Sequence, residues 1–256
     1  MDQGGLTYIK MPYPKAKDLH LKISVPICLL VITPGIGNAW VTGKYVDSKE
    51  VLPLCIKRSN NVSEIIAQGA FAYRTPPVYL PHMRLSFGRS RPFSLSIVAG
   101  DLADHFDFGG LPLSALEIQY GAGNQYVDFS YPNQQLMSRM KFAADPGPVQ
   151  IENAVNANAG EIRLSGETAR YRLNFGAELK QNTNLHIGIG VSKVDVFIRS
   201  GTAVKVISSN PPLSGHPDDF SYLDKAFWNA PARDHLEPLL YIKNLASYRS
   251  LRVHTI

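Results

Sequence analysis

The sequence predicts an all-β fold, a two-sheeted β-solenoid (toastrack or single-stranded β-helix-like) with roughly 23 residues per rung, and three observations carry that prediction. Charged residues make up only 18% of the 256-residue chain, while 20 Gly and 18 Pro favour strands and tight turns over surface helices. Apolar residues recur in one frame: counted from Leu116, the offsets 0, +2, +4, +11 and +13 hold Leu116, Ile118, Tyr120, Val127 and Phe129. With offset +9 included, the frame restarts at Phe93, Met140, Ile162 and Leu185, and 26 of its 30 positions are apolar. Finally, each unit reads as two period-2 runs joined by a Gly- or Pro-containing corner, which is two short strands sharing an inward face. One such unit cannot bury its face, whereas stacked units cover one another. The LxxLxL signature of a leucine-rich repeat is absent.

Taken in chain order, the frame first appears at Leu21, Ile23, Val25, Leu30 and Ile32, ending at Thr33-Pro34-Gly35. Its corner reads Pro26-Ile27-Cys28, where proline cannot reach positive φ, so strain is expected there. Residues 44–92 are less regular; Val51–Ile56 and Glu64–Tyr73 read as degenerate strands, and Pro76, Pro77, Pro81 and Pro92 mark a looser joint. The regular array occupies 93–201, after an N-terminal β portion at 1–92. Residues 202–256 are expected to form an aromatic-rich cap or flap and a final rung, the latter with Leu240, Ile242, Leu251 and Val253 in frame. Within that part the period is lost over 211–238, and Phe220, Tyr222, Phe227 and Trp228 are expected to pack on the end or flank of the units starting at Leu185 and Leu240.

The corners themselves need a reading. Gly121-Ala122-Gly123, Ala144–Pro148 and Gly188-Ile189-Gly190-Val191 are places where the chain must turn sharply, so Gly121, Gly123, Gly188 and Gly190 are assigned to structural turns. A dinucleotide fingerprint needs a third glycine and a following helix, whereas Asn124-Gln125-Tyr126 leads into another strand.

Asp101, Asp104, His105 and Asp107 form the densest group of titratable residues. Carboxylates on a β-helix face can do acid–base work or hold calcium. Residues three apart on a strand face opposite ways, and Asp104 falls at an inward offset between Leu102 and Phe106. An acidic turn ahead of Gly109-Gly110 is therefore the favoured reading. A carbohydrate-active solenoid would align acidic side chains of neighbouring rungs, but the sequence frame puts Ser130 at the +14 position that Asp107 holds one unit earlier. The seven histidines show no HxH or HExxH spacing and no GxSxG is present, so no catalytic residue, metal site or cofactor is assigned. The outward offsets Gln119, Asp128, Arg163, Arg170, Arg172, His186, Lys193 and Asp195 form a mixed polar face, and Tyr126 and Tyr131 are expected to pack along a rung.

The net charge of +5 is scattered, with no basic stripe or reader motif for nucleic acid. Cys28 and Cys55 have no CxxC spacing and read as buried thiols rather than a disulfide. The apolar run Ser24–Ile32 is too short to span a bilayer, and no signal peptide is visible, so the expected location is cytoplasmic.

The stretches DFGGLPLSALEIQYGAG (107–123), NANAGEIRLSGETARYRLNFGAEL (156–179) and LHIGIGVSKVDVFI (185–198) resemble the toastrack domains of LiaF-like cell-envelope stress proteins and bacterial adhesin-like proteins. The resemblance covers roughly residues 19–200 and 239–256 and rests on the repeat pattern. LiaF-like proteins carry transmembrane helices ahead of this domain, and none is legible here. The resemblance supplies no catalytic residue and implies a non-enzymatic binding or scaffolding module tied to envelope stress or adhesion. Its partner is an unidentified protein or cell-envelope polymer; a carbohydrate-active enzyme and a self-assembling homo-oligomer remain open alternatives.

Overall fold

The computed structural model describes residues 5–25, 28–47, 52–67, 80–99, 104–208, 220–234, 236–246 and 251–256. The strands in chain order begin with β1 (Leu6–Met11), β2 (His20–Val25), β3 (Leu29–Pro34), β4 (Val41–Val46), β5 (Leu54–Arg58), β6 (Val62–Ala67), β7 (His82–Phe87) and β8 (Phe93–Ala99). They continue with β9 (Asp104–Asp107), β10 (Leu113–Tyr120), β11 (Gln125–Asp128), β12 (Arg139–Ala144), β13 (Pro148–Glu152), β14 (Glu161–Ser165), β15 (Arg170–Asn174) and β16 (Thr183–Ile187). The last are β17 (Lys193–Ile198), β18 (Ala203–Ser208), β19 (Phe220–Leu223), β20 (Ala226–Asn229), β21 (Leu239–Asn244) and β22 (Leu251–Thr255), with a single helical turn, α1 (Ala230–Arg233), after β20.

These strands form two sheets: sheet A, ordered β1-β4-β7-β3-β9-β11-β13-β15-β17-β22, and sheet B, ordered β19-β20-β18-β21-β16-β14-β12-β10-β8-β2-β6-β5. The fold is thus the two-sheeted solenoid expected. Each rung gives one strand to each sheet, and strands of successive rungs run parallel. Alternation does the packing. On sheet B, Leu95, Leu116, Met140, Ile162, Leu185 and Ile242 are cross-strand neighbours pointing inward. Phe106, Val127, Ile151, Leu173, Val196 and Val253 oppose them from sheet A, and all twelve are buried. Phe106, Tyr120 and Phe142 stack along the rung axis, with centroids 6.1 and 6.3 Å apart.

The register corrects the sequence frame at two units. Leu116 pairs with Leu95, not Phe93, and Leu185 pairs with Ile242, not Leu240. A slip of two residues leaves every inward side chain facing inward, so alternation alone cannot detect it. A bulge between Leu113 and Ala115, where β10 meets β8, accompanies the first of these slips. Ile189, counted as inward, is 82% exposed in its corner.

Spatial order departs from chain order at both ends of the stack. The rung β6/β7 lies outside β2/β3, so the chain passes outward and then returns to lay β8/β9 on the other side. At the far end β18, a strand the lost period concealed, pairs in parallel with β21, which slots between it and β16. Antiparallel strands flank these terminal rungs: β4 and β1 on β7, β5 on β6, and β20 and β19 on β18. The aromatic segment forms an edge hairpin beside β18, which itself pairs with β21. Phe220 and Phe227 pack against the core, while Tyr222 is 55% exposed. The strained corner expected at Pro26-Ile27, the joint at Pro76 and Pro77, and residues 211–219 lie outside the described residues.

Candidate functional site

Among the acidic group, Asp101 lies outside the described residues. Asp104 opens β9 and points into the solenoid at 3% exposure, on the rung beside Gln125, so it occupies a strand rather than a turn. Its Oδ1 accepts from the Leu30 amide at 2.8 Å, and its Oδ2 has no hydrogen-bond partner among the described residues. Burial raises the Asp104 carboxyl to about 7, with the Leu30 hydrogen bond working against that rise. The neighbouring Cys28 thiol is pushed up to about 12 by burial and by the charges of Asp104 and Asp47, which makes it an inert core thiol. Cys55 is exposed on β5, contrary to the expectation of a buried thiol, and both cysteines are free.

His105 and Asp107 face outward from the same strand. His105 stacks on Tyr126 of the next rung at 4.8 Å. The Asp107 carboxylate accepts from the Gly109 amide at 2.8 Å and from the Ser130 hydroxyl at 2.8 Å, closing the corner after β9. Gly121 and Gly123 lie between β10 and β11, and Gly188 and Gly190 between β16 and β17. Gly190 takes φ of +92°, and a Cβ there would stand 2.9 Å from the Gly166 carbonyl oxygen one rung below.

The corrected register changes what lines up on the outer face of sheet A. Asp107, Asp128 and Glu152 are direct cross-strand neighbours on β9, β11 and β13. The sequence frame missed this ladder because its Phe93 unit started two residues early, which moved Asp107 from +12 to +14. Each carboxylate is already engaged. Asp128 accepts from Asn153 at 2.8 Å, and Glu152 accepts from Gln150 at 2.8 Å and from Asn174 of the next rung at 2.7 Å. Further along the face, Arg172 stacks on Phe197 at 4.2 Å, and His254 bonds Asp195 at 3.1 Å. Burial alone would raise the Asp195 carboxyl, but hydrogen bonds from Lys193 and His254 hold it below its usual range. A hollow of about 480 Å³ opens beside this row, rimmed by Arg170, Arg172, Lys193 and Gln150.

Sheet B carries a different row. Lys141, Arg163, His186 and Lys243 are successive cross-strand neighbours on β12, β14, β16 and β21. Past them, Lys205 of β18 sits between two rings, its Nζ 4.1 Å from Trp228 and 5.8 Å from Tyr241. Sequence reasoning had marked Arg163 and His186 as outward but missed Lys141, Lys205, Lys243 and Tyr241. For Lys141, Arg163 and His186 the only linear signal is one outward basic or imidazole side chain per repeat, 22 and 23 residues apart. Among the described residues no group of three His, Cys, Asp or Glu side chains has metal-binding geometry.

These features define an all-β, two-sheeted repeat protein with charged ladders on its outer faces. No family model and no curated protein matches the chain. Its fold is that of a solved structure from Clostridium sporogenes titled a "putative cell adhesion protein", 12% identical, TM-score 0.52, over 98% of this chain and 99% of that one. A "putative adhesin" from Bacteroides fragilis aligns over 98% of this chain and 97% of that one at 8% identity, with a TM-score of 0.41, too distant to carry an argument. No helix among the described residues is long and apolar enough to cross a membrane.

Proposed function

We propose that the chain is a non-catalytic binding module of the toastrack kind, related to the LiaF-like and adhesin-like group, that meets a cell-envelope polymer or protein on the outer face of a sheet. The observation that carries this reading is the state of the Asp107–Asp128–Glu152 ladder. A glycosidase needs one carboxyl free to give a proton and a second free to attack or to activate water. Here each is occupied by a corner amide, a hydroxyl or a side-chain amide from its own or a neighbouring rung. Such carboxylates fix the corners of the stack. A surface polymer has to be met outside the cytoplasm, so this reading replaces the cytoplasmic expectation.

The alignment of three carboxylates still favours a sugar-cleaving reading over any other chemistry, and it defines the test. Incubated with a panel of neutral and acidic polysaccharides, the protein should release no new reducing ends and no unsaturated product. Cleavage by the wild type that is lost in Asp128→Asn or Glu152→Gln would overturn the proposal.

A further inference from the structure

The row on sheet B names a ligand class for the module, an inference that rests on the binding reading above. Adjacent strands stand about 4.8 Å apart, so Lys141, Arg163, His186 and Lys243 offer one cationic or imidazole side chain per rung over about 14 Å. Lys205 on the next strand and Arg139, two residues before Lys141 on β12, extend the basic character. Against these stand two carboxylates. Glu117 pairs with Lys141 at 2.7 Å, and Glu161 holds Arg163 at 2.8 Å and lies 3.6 Å from His186. Lys243, Lys205 and Arg139 have no carboxylate partner among the described residues.

Like charges directly opposite across a strand pair cost stability. Lys141 and Arg163 are such a pair, and each is held by a carboxylate of its own, Glu117 and Glu161, which leaves Lys243, Lys205 and Arg139 as the cations of this face without a carboxylate partner among the described residues. The row is bordered on one side by Gln119, Ala143, Ser165 and Gly188, short or uncharged groups that leave a track beside the cations. At the other end of the row, Ser94, Ser96 and Ala115 open a hollow of about 550 Å³ with His20 and Arg139 at its rim.

We propose that this face binds a linear acidic polysaccharide carrying a carboxylate on successive sugar units, laid along the Lys141–Arg163–His186–Lys243 row. The chemistry separates this ligand from the two other classes of macromolecule. Single-stranded nucleic acid is held by aromatic platforms interleaved with cations, whereas the rings here, Trp228 and Tyr241, stand at one end beside Lys205. A protein interface needs an apolar centre, and the row has none. An extended acidic glycan supplies negative charge at regular spacing on a flat chain, to meet the cations of a flat sheet that Glu117 and Glu161 leave unpaired.

The test titrates the full chain with polygalacturonate by calorimetry, with fully methyl-esterified polygalacturonate as the uncharged counterpart and single-stranded DNA as a different polyanion. The acid form should bind, weaken by more than about tenfold on raising the salt concentration, as a screened charge interaction must, and outcompete DNA. The ester should not bind. Arg163→Gln/Lys243→Gln should lose about tenfold or more in affinity while melting no lower than wild type. Arg163→Lys/Lys243→Arg should retain binding, and Arg170→Gln/Arg172→Gln on sheet A should leave it unchanged. Absence of binding, equal binding by Arg163→Gln/Lys243→Gln, equal loss in the sheet A variant or tighter binding of DNA would overturn the inference. Cleavage of the polymer during the titration would overturn the non-catalytic reading and leave the ligand class standing, so the two fail separately.

Discussion

Asp104 shows how one inward side chain couples the core to solution pH. Its carboxyl is held at about 7 in the fold, against an ordinary value of 3.8 once the chain unfolds. The folded state therefore binds the proton more tightly, and the stability this contributes is complete below about pH 4 and is lost as pH rises to about 7. Three pK units set a ceiling of about 4 kcal/mol. Denaturant midpoints at pH 4.5 and pH 8 should fall with rising pH in the wild type, and Asp104→Asn, which cannot ionise, should flatten the decline. An identical decline in both proteins would place its origin elsewhere. The pair His186 and Ile187 tests alternation at the same scale. Ile187 is fully buried and His186 faces outward on the same strand. Ile187→Asp buries an unpaired charge and should cost about 4 kcal/mol, while His186→Asp should cost under about 1. Equal losses in thermal unfolding would put the register of β16 in error.

At the scale of the element, the hairpin β19–β20 answers a problem every solenoid has. A terminal strand presents a row of unpaired amides and carbonyls that invites pairing with another chain. Here β20 pairs antiparallel with β18, and Asn229 locks the joint. Its side chain accepts from Val204 at 2.9 Å and from Ala232 at 3.1 Å, and donates to the Thr202 carbonyl at 2.7 Å. Phe220 and Phe227, both half-buried, pack on the core from the same hairpin, each contributing less than the roughly 1.5 to 3 kcal/mol of a fully buried side chain. Replacing 220–234 by a short Gly/Ser linker should bare the edge of β18, lower the melting temperature and raise the mass seen by light scattering. A shortened protein that stays monomeric and melts at the wild-type temperature would show that the hairpin covers nothing of consequence.

Across the whole molecule, the sequence by itself determined the alternation, the corners and the repeat length, and so the two-sheeted stack. The signal is strong because burial demands it locally: Ile118, Phe142, Leu164 and Ile187 must each face inward whatever the neighbouring rung does. The frame had Leu116, Met140, Ile162 and Leu185 in register, but which residue sits above which at Leu95 and Ile242 was decided only by the tertiary structure. A two-residue slip at Leu95 or Ile242 costs nothing in alternation, so pattern could not place Asp107 over Asp128, and with them the ladder on sheet A. The insertion of β21 between β16 and β18 was equally hidden, since those neighbours are far apart in the chain. In the row Lys141, Arg163, His186 and Lys243 the first three stand at +1 of the Met140, Ile162 and Leu185 units, and Lys243 joins them only through the two-residue slip at Ile242. The row's members are single outward basic or imidazole side chains in separate repeats, weak as a sequence feature, and they become one surface because parallel hydrogen bonding fixes the rungs in register about 4.8 Å apart.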